Sequence, residues 1–190
     1  MKVLVFGSSG GIGAALCKAL RDQQHQVIEV DRRTLDCESD HMEQRISDII
    51  TESEPNWIFN CIGFLGNNQH NYRTVFDANF GSNWAIVKHY LERQDQRVQI
   101  VMTGSAVHNQ PRKNSILYAA SKSALHNLWQ STEDIFVGTD VNIALIHPPR
   151  VNTAMLNGRP GPSLAPEYVA QAMIDLTNTM KSRTLLEIGI

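Results

Sequence analysis

The sequence lacks a basic block, a long apolar run and a cysteine framework. Its formal net charge is -2 and its charged residues are scattered, which gives no surface for a phosphate backbone, so we expect no nucleic-acid partner. No apolar run approaches the roughly 20 residues that cross a bilayer, so we expect no membrane association and a cytoplasmic location. The three cysteines are far apart, which fits neither a disulfide framework nor a metal site.

What the sequence does contain is a regular alternation of strand-like and helix-like segments. The 190 residues, 42% of them hydrophobic, suffice for one sizeable core, so we predict a single domain over 1–190. Strands are predicted at 3–6, 27–30, 57–62, 98–102, 141–146 and 185–188. Helices are predicted at 11–24, 42–50, 75–91, 115–136 and from Pro166 onward. This alternation predicts an α/β fold of Rossmann type, a doubly wound parallel sheet with helices on both faces in three layers.

A glycine cluster, FGSSGGIG, joins the first predicted strand to the first predicted helix. Gly7 permits a tight turn, Gly11 a close approach of the backbone to a pyrophosphate, and Gly13 close helix packing. The helix N-terminus favours an anion. The predicted cofactor-binding residues of this turn are Gly7, Ser8, Ser9, Gly11, Ile12 and Gly13. The spacing is G-x-x-x-G-x-G, so a glycine-rich turn without a ligand remains the alternative.

An acidic residue, Asp31, follows the second predicted strand. A carboxylate at this position typically binds the adenosine ribose hydroxyls and repels a 2'-phosphate. Arg32 and Arg33 come directly after it, and a guanidinium there can pair with that phosphate. We therefore favour NAD as the cofactor, with NADP possible and with Asp31 and Arg32 among its contacts.

A second constellation combines Ser105 with the segment YAASK. Tyr118 and Lys122 are four residues apart and share one helix face. An ammonium near a phenol favours the phenolate, so we expect Lys122 to lower the pKa of Tyr118 and Tyr118 to exchange a proton with a substrate oxygen. Ser105, just after a predicted strand, can hydrogen-bond the same oxygen. The pair alone would also fit a simple contact on a helix surface.

Six motifs in this order resemble the short-chain dehydrogenase/reductase family over nearly the whole chain. FGSSGGIG resembles its TGxxxGxG and YAASK its YxxxK. The other matching positions are Asn60, Cys61 and Gly63 for its NNAG, Asn79 for its helix asparagine, Ser105 for its serine, and Pro148 and Thr153 in HPPRVNT.

The resemblance implies an NAD(P)-dependent oxidoreductase that transfers a hydride between nicotinamide and a small-molecule carbonyl or alcohol. It implies that Tyr118 is the general acid/base, that Lys122 holds the nicotinamide ribose and that Ser105 orients the substrate oxygen. Asn79 would support a proton relay through water. The implied cofactor wall comprises Asn60, Cys61, Gly63, Pro148 and Thr153, together with Tyr118 and Lys122. It also implies a homodimer or homotetramer through the helices that carry Asn79 and Tyr118.

The chain departs from the family pattern at several positions. Phe6 and Pro149 replace the usual threonine and glycine. One strand and helix layer is compressed, so that 34–37 remains of a third strand, with Asp36 near the adenine. The substrate lid is short, around 154–165. The compact chain is similar to the C-factor-like branch of the family.

Two further function classes stay open at the level of sequence. The short lid and the C-factor resemblance suggest an NAD(P)-binding signalling or regulatory protein with little turnover. The tyrosine and lysine pair is also found in sugar-nucleotide reductases and epimerases, which need a larger C-terminal region than the 38 residues after Asn152. Fold alone cannot choose among these classes.

Overall fold

A single parallel sheet of six strands organises the chain in the computed structural model, which describes residues 1–156, 158–179 and 184–188. The strand order is β2-β1-β3-β4-β5-β6, and every neighbouring pair is parallel. The strands are β1 (Lys2–Phe6), β2 (Gln26–Val30), β3 (Trp57–Asn60), β4 (Val98–Thr103), β5 (Val141–His147) and β6 (Thr184–Glu187). The prediction of a doubly wound parallel sheet is confirmed.

Helices connect the strands, as parallel pairing requires. They are α1 (Gly11–Asp22), α2 (Met42–Ser53), α3 (Tyr72–Phe76), α4 (Ser82–Leu91), α5 (Ile116–Phe136) and α6 (Pro166–Thr179). A π-helical turn, Asp77–Gly81, joins α3 to α4, and a short 3-10 turn covers Ala154–Leu156. The helix predicted over 75–91 is therefore three consecutive segments.

The core lies on both faces of the sheet, because successive strand residues point to opposite sides. On one face Leu4 and Phe6 pack with apolar residues of α2, α4 and α5. On the other face Val3 and Val5 pack with apolar residues of α1 and α6. All four of these β1 side chains are fully buried, so the three predicted layers are present.

The prediction of a residual third strand at 34–37 is wrong. The segment after β2 forms turns, in which the Asp31 carbonyl accepts hydrogen bonds from the amides of Thr34 and Leu35 at 3.1 and 2.9 Å. Leu35 is buried, but its neighbours are polar and the chain turns back before it can pair. The sheet consequently ends at β2.

The proposed lid segment, 154–165, is tied at its base. Val151 and Leu164 form an isolated parallel bridge, and the Asn152 amide donates to the Leu164 carbonyl at 2.8 Å. The Arg150 guanidinium donates to the Arg159 carbonyl at 2.7 Å. Residue 157 of this segment lies outside the described residues. Within the described parts of the chain, no helix has the length and apolarity that crossing a membrane requires.

Candidate active site

The candidate site lies at the carboxyl edge of the sheet, between β1 and β3. The chain crosses from β1 to β2 on one side and returns to β3 on the other, which makes this the point where the winding reverses. Ligands of open parallel sheets bind in the crevice at such a point. The glycine turn after β1 and Asn60 at the end of β3 both lie there.

Gly7 begins the turn with a backbone that favours glycine. Its φ is +75°, and a Cβ on it would lie 2.8 Å from the Cys61 carbonyl carbon and the Ile62 nitrogen. The amides of Gly7 and Ser8 both donate to the Val30 carbonyl, at 2.8 and 3.2 Å. Thus the turn is fixed against both β2 and β3 although Phe6 cannot supply the hydroxyl brace of the usual threonine.

The other two predicted glycines leave no room for a side chain. A Cβ on Gly13 would lie 2.1 Å from the Gly7 carbonyl oxygen, and one on Gly11 would lie 2.3 Å from Cγ2 of Thr153. Thr153 therefore packs directly on the start of α1. The first N–H groups of a helix lack intrahelical acceptors, and α1 begins at Gly11, next to Thr153. Ser8 is buried, Ser9 is exposed and Ile12 is half-buried.

Asp31 lies just beyond β2, next to the turn, and is held by its own neighbours. Its carboxylate accepts hydrogen bonds from the Arg33 guanidinium at 2.7 and 3.0 Å and from the Arg33 amide at 2.9 Å. These bonds lower the pKa of Asp31 to about 2. The side chain of Arg33 is 92% exposed, so this guanidinium can leave the carboxylate at little cost.

Two residues predicted to lie near the adenine make no hydrogen bond to the other candidate site residues in the described part of the chain. Arg32 and Asp36 are both exposed. The Asp36 carboxylate accepts the Glu38 amide at 2.9 Å, so it stabilises the turn after β2. Their part in cofactor binding remains a prediction.

Asn60 is fully buried and its amide is bound within the protein. Its Nδ2 donates to the Ser82 hydroxyl at 3.0 Å and its Oδ1 accepts the Ile62 amide at 3.1 Å. Its carbonyl accepts the Thr103 hydroxyl at 2.7 Å. Burial raises the pKa of the neighbouring Cys61 thiol to about 12, which leaves that thiol an uncharged packing group. Both residues therefore shape the wall of the site.

Lys122, from α5, brings a buried charge to the centre of the site. Its Nζ donates to the Thr103 carbonyl at 2.7 Å, and burial lowers the pKa of the ammonium to about 8. A Cβ on Gly63 would lie 3.9 Å from this Nζ, 3.4 Å from Oδ1 of Asn79 and 3.7 Å from the Met155 methyl. Three elements distant in sequence therefore meet at Gly63.

Asn79 holds the segment that follows Gly63. Its Oδ1 accepts the Phe64 amide at 3.0 Å and its Nδ2 donates to the Phe64 carbonyl at 2.9 Å. The side chain is fully buried. It projects from the π-helical turn, and such turns are frequent at functional sites.

The side chains of Tyr118 and Ser105 lie close to each other and to Lys122. The Lys122 Nζ lies 5.9 Å from the Tyr118 ring centroid. A hydrogen bond between the Ser105 side chain and Tyr118 lowers the pKa of the phenol, but burial outweighs it and the pKa is raised overall. We expected a lowered pKa from Lys122. The pKa of the half-buried phenol is raised instead, because burial outweighs the lowering by Ser105 and Arg112.

The sequence analysis missed Thr103, which links Lys122 to Asn60, and His147, which precedes Pro148. The Ser105 amide donates to Nδ1 of His147 at 3.0 Å, and the Ala106 amide donates to the Pro148 carbonyl at 3.1 Å. The strand pairing places Thr103 near Asn60, because β3 and β4 are adjacent and Thr103 follows Met102, the residue that pairs with Asn60. No local pattern signalled His147.

Comparison with known proteins identifies the family. A family model described as short chain dehydrogenase matches residues 62–161, more than half of the chain. The chain belongs to the short chain dehydrogenase family and is an NAD(P)-dependent oxidoreductase. No curated protein sequence matches it significantly.

Solved structures agree in fold along nearly the full length. The chain is similar to a 3-alpha-hydroxysteroid dehydrogenase from a Pseudomonas species complexed with NADH, with a TM-score of 0.84, 20% identity and coverage of 98% of this chain and 94% of that one. It is also similar to a short chain dehydrogenase from Burkholderia cenocepacia in complex with NADP, with a TM-score of 0.82, 15% identity and coverage of 99% and 87%. At these identities the likeness concerns the fold.

Proposed function

We propose that the protein interconverts a small-molecule carbonyl compound and its alcohol, with Tyr118 as the general acid/base. The observation that carries this proposal is the meeting of Ser105, Tyr118 and Lys122 at one end of α5. A phenol can donate its proton to a carbonyl oxygen during reduction and take it back from an alcohol during oxidation. The Ser105 hydroxyl, which lies beside Tyr118, would orient the same oxygen.

Lys122 and Asn79 would support Tyr118 from below. The Lys122 ammonium lies beside Gly63, where a ribose hydroxyl could replace part of its lost hydration. Any such partner favours the charged form of Lys122, which in turn would favour the phenolate of Tyr118. Asn79 keeps the segment after Gly63 in place and would support a proton relay through water.

The residues present fit a nicotinamide dinucleotide. Side chains are excluded from Gly7, Gly11 and Gly13 by contacts shorter than 3.0 Å to an added Cβ, which leaves a backbone cradle at the start of α1 for a pyrophosphate. The nicotinamide ring, when bound, supplies or accepts the hydride. Thr153, which covers Gly11, and the wall formed by Asn60, Cys61, Gly63 and Pro148 would enclose it.

We infer that NAD is preferred to NADP. The Asp31 carboxylate follows β2 beside the glycine turn and is fully ionised at neutral pH, because its hydrogen bonds with Arg33 lower its pKa to about 2. A fixed negative charge there accepts ribose hydroxyls and repels a 2'-phosphate. Arg32 and the exposed Arg33 are the groups through which NADP would bind instead.

We further propose one domain over 1–190 with a short substrate lid around 154–165. The bridge between Val151 and Leu164 closes this segment at its base. Met155 is exposed, and its methyl group lies near Gly63. A lid of this length would leave a shallow pocket suited to a bulky or flexible substrate.

We propose that the protein assembles as a homodimer or homotetramer through α4 and α5. An apolar groove of about 410 Å³ runs between these helices. Its lining includes Phe80, Trp84, Leu128 and Ile135, and Ile135 is 41% exposed. A second copy of the chain would cover this face, since most soluble oligomers are symmetric.

Replacement of Tyr118 by Phe tests the catalytic assignment. We expect Tyr118→Phe to lower kcat by roughly 100-fold or more, because proton transfer contributes about 10²–10⁴-fold, and to leave the Kd for NADH nearly unchanged. The measurement is oxidation of NADH against a panel of carbonyl compounds, with binding followed by nicotinamide fluorescence. Tyr90→Phe, at a buried tyrosine of α4, is the matched control. Unchanged turnover in Tyr118→Phe would rule out the assignment.

Titration with NADH and with NADPH tests the cofactor assignment. We expect tighter binding of NADH, seen in fluorescence and as a larger rise of Tm, since a ligand at 100 times its Kd stabilises the folded state by about 2.7 kcal/mol. Asp31→Ser should reduce this preference, and Arg33→Ser should leave it intact. A preference for NADPH that Arg32→Ser or Arg33→Ser abolishes would contradict the proposed role of Asp31.

A further inference from the structure

The backbone of Ser105 is held on both sides by imidazole rings. Its amide donates to Nδ1 of His147 at 3.0 Å. Its carbonyl lies 3.1 Å from Nδ1 of His108, and because a carbonyl only accepts, this nitrogen of His108 carries the proton. The His108 amide donates to the same carbonyl at 3.0 Å. Both polar backbone groups of Ser105 thus have histidine partners.

The bond to Ser105 also fixes the tautomer of His147. An amide N–H only donates, so Nδ1 of His147 is the acceptor and the proton of the neutral ring lies on Nε2. That Nε2 lies 3.0 Å from Nδ1 of His126 and donates to it. Burial, with the nearby His108 and His126, lowers the pKa of His147 to about 3, so the ring is a neutral acceptor at physiological pH.

These bonds end on the helix that carries the tyrosine. His126 follows Lys122 by four residues and Tyr118 by eight, so all three lie on one face of α5. The Ser123 hydroxyl of the same helix donates to the His108 carbonyl. A continuous path of hydrogen bonds therefore joins the backbone of Ser105 to α5.

Close packing limits the movement of this path. The ring of His108 stacks on His147, with centroids 3.9 Å apart and planes 17° from parallel, and on His126, with centroids 4.5 Å apart and planes at 23°. A Cβ on Gly104 would lie 2.4 Å from Nδ1 of His147. The absence of a side chain at Gly104 is thus what lets the His147 ring reach the Ser105 amide.

The same three histidines could be considered as a metal site, since one nitrogen of each lies within 4.8 Å of the others. Metal coordination requires in-plane lone pairs that converge on one point. Here His108 and His147 are nearly parallel, the Nδ1 lone pair of His147 is used by Ser105, and its Nε2 carries a proton. The arrangement favours a hydrogen-bonded stack.

We propose that His108, His126 and His147 form a histidine clamp that positions Ser105 relative to Tyr118. The clamp rests on the proposed function, because it fixes the one hydroxyl that would orient the substrate oxygen toward the phenol. His147 and His108 hold the backbone of Ser105, and His126 ties them to α5. Each of the three would act through Ser105 or α5, so they are positioning residues.

The first test needs no substrate. Nitrogen-15 spectra of histidine-labelled wild-type protein at neutral pH report which ring nitrogen carries the proton. The clamp requires His147 with a protonated Nε2 and a hydrogen-bonded Nδ1, and one equivalent of Zn²⁺ should leave these signals in place. A proton on Nδ1 of His147, or ring signals shifted by stoichiometric Zn²⁺, would overturn it.

The second test separates positioning from folding. His147→Leu removes the acceptor and should lower kcat by roughly 10- to 100-fold with a much smaller change in KM, since a displacement of about 1 Å at a reacting group can cost 10²-fold. His147→Asn places Oδ1 near the position of Nδ1 and should restore most of the loss. His126→Phe keeps a stacked ring but no acceptor, and should lower kcat by a smaller factor, about 3- to 10-fold.

A matched control comes from His89, which is buried on α4 and hydrogen-bonded to the Ser47 hydroxyl at 2.9 Å. His89→Leu should lower Tm and leave kcat within about 2-fold of wild type. Equal losses in His147→Asn and His147→Leu, or wild-type kcat in His147→Leu and His126→Phe, would overturn the clamp. Inactive wild-type protein on the full panel would instead contradict the proposed function, and the spectra would still decide the hydrogen bonds.

Discussion

Lys122 shows how the site keeps a charge where water cannot reach it. The residue is 2% exposed, and among the residues that the structure describes its ammonium donates one hydrogen bond, to the Thr103 carbonyl. Removing a charged group from water costs free energy that one neutral acceptor does not return. The stability of the cofactor-free protein should therefore depend on whether Lys122 is protonated.

We expect the free energy of unfolding of the wild type to rise, relative to that of Lys122→Met, between about pH 8 and pH 10.5. Burial lowers the pKa of Lys122 from 10.5 to about 8. Below pH 8 the Lys122 side chain is protonated in both the folded and the unfolded state. Between about pH 8 and pH 10.5 it is protonated only in the unfolded state. Raising the pH in this range therefore favours the folded state, by at most about 1.4 kcal/mol per pH unit.

Denaturant unfolding of both proteins across this range measures the effect. Lys88→Met is the control, because Lys88 is an exposed residue whose pKa is raised by Glu43. The free energy of unfolding of the wild type should not rise relative to that of Lys88→Met between pH 8 and pH 10.5. A wild-type stability that falls relative to Lys122→Met over the same range would contradict a buried ammonium.

At single residues, the sequence predicted spacing correctly but did not predict burial or long-range contacts. The four-residue spacing correctly predicts that Tyr118 and Lys122 share a helix face, but spacing carries no information on how much water surrounds them. The expected direction of the Tyr118 pKa was therefore wrong. The contact of Ser105 with His147 spans 42 residues, and two adjacent parallel strands bring it about where no local motif could.

At the scale of elements, the start of α5 depends on a residue of another segment. Ser115 is at the N-cap but makes no side-chain capping bond. Instead, Oδ1 of Asn68 accepts the Ile116 amide at 3.1 Å, and its Nδ2 donates to the Lys113 carbonyl at 2.7 Å. Tyr118 lies in the first turn of this helix, so the loop after β3 holds the end of α5 that carries the tyrosine.

We expect Asn68→Ala to destabilise the protein by about 1 kcal/mol, the usual cost of losing a helix cap, and to lower kcat more than it changes the Kd for NADH. Asn68→Asp keeps an acceptor for the Ile116 amide and should recover most of the stability. Thermal unfolding and single-substrate kinetics of the two variants measure this. Equal loss in both variants would show that the bond to Ile116 is not what stabilises the helix start.

The order of elements was predictable, whereas their interruptions were not. Strand and helix positions follow from hydrophobic periodicity, and the predicted ends differ from the observed ones by three residues at most. The sequence analysis predicted one continuous helix where the structure has a π-helical turn at Asp77–Gly81. Leu35 resembles a strand residue in isolation, but the turn that Asp31 initiates prevents pairing.

At the scale of the whole molecule, one sheet brings together all parts of the candidate site. The glycine turn, Asn60, Ser105 and Pro148 each follow or end a parallel strand, so they meet at the same edge. This much follows from alternation alone, because parallel strands end together. Alternation does not explain the face of α4 and α5 that points away from the sheet. This face includes apolar side chains that a single copy of the chain leaves partly exposed, such as Ile135.

We expect the purified protein to be a homodimer or homotetramer in solution. The groove between α4 and α5 is lined by the half-buried Trp84 and Leu128 and by Ile135, which is 41% exposed, and a second copy of the chain would cover it. Ile135→Glu should therefore shift the protein toward the monomer, because it buries a carboxylate in the interface without a partner. Light scattering after size exclusion over a concentration series measures the mass.

Tyr168→Glu, at a residue of α6 that is 59% exposed, is the control and should keep the wild-type mass. A wild-type monomer at all concentrations would contradict the assembly, and an Ile135→Glu oligomer of unchanged mass would place its interface on another face of the molecule.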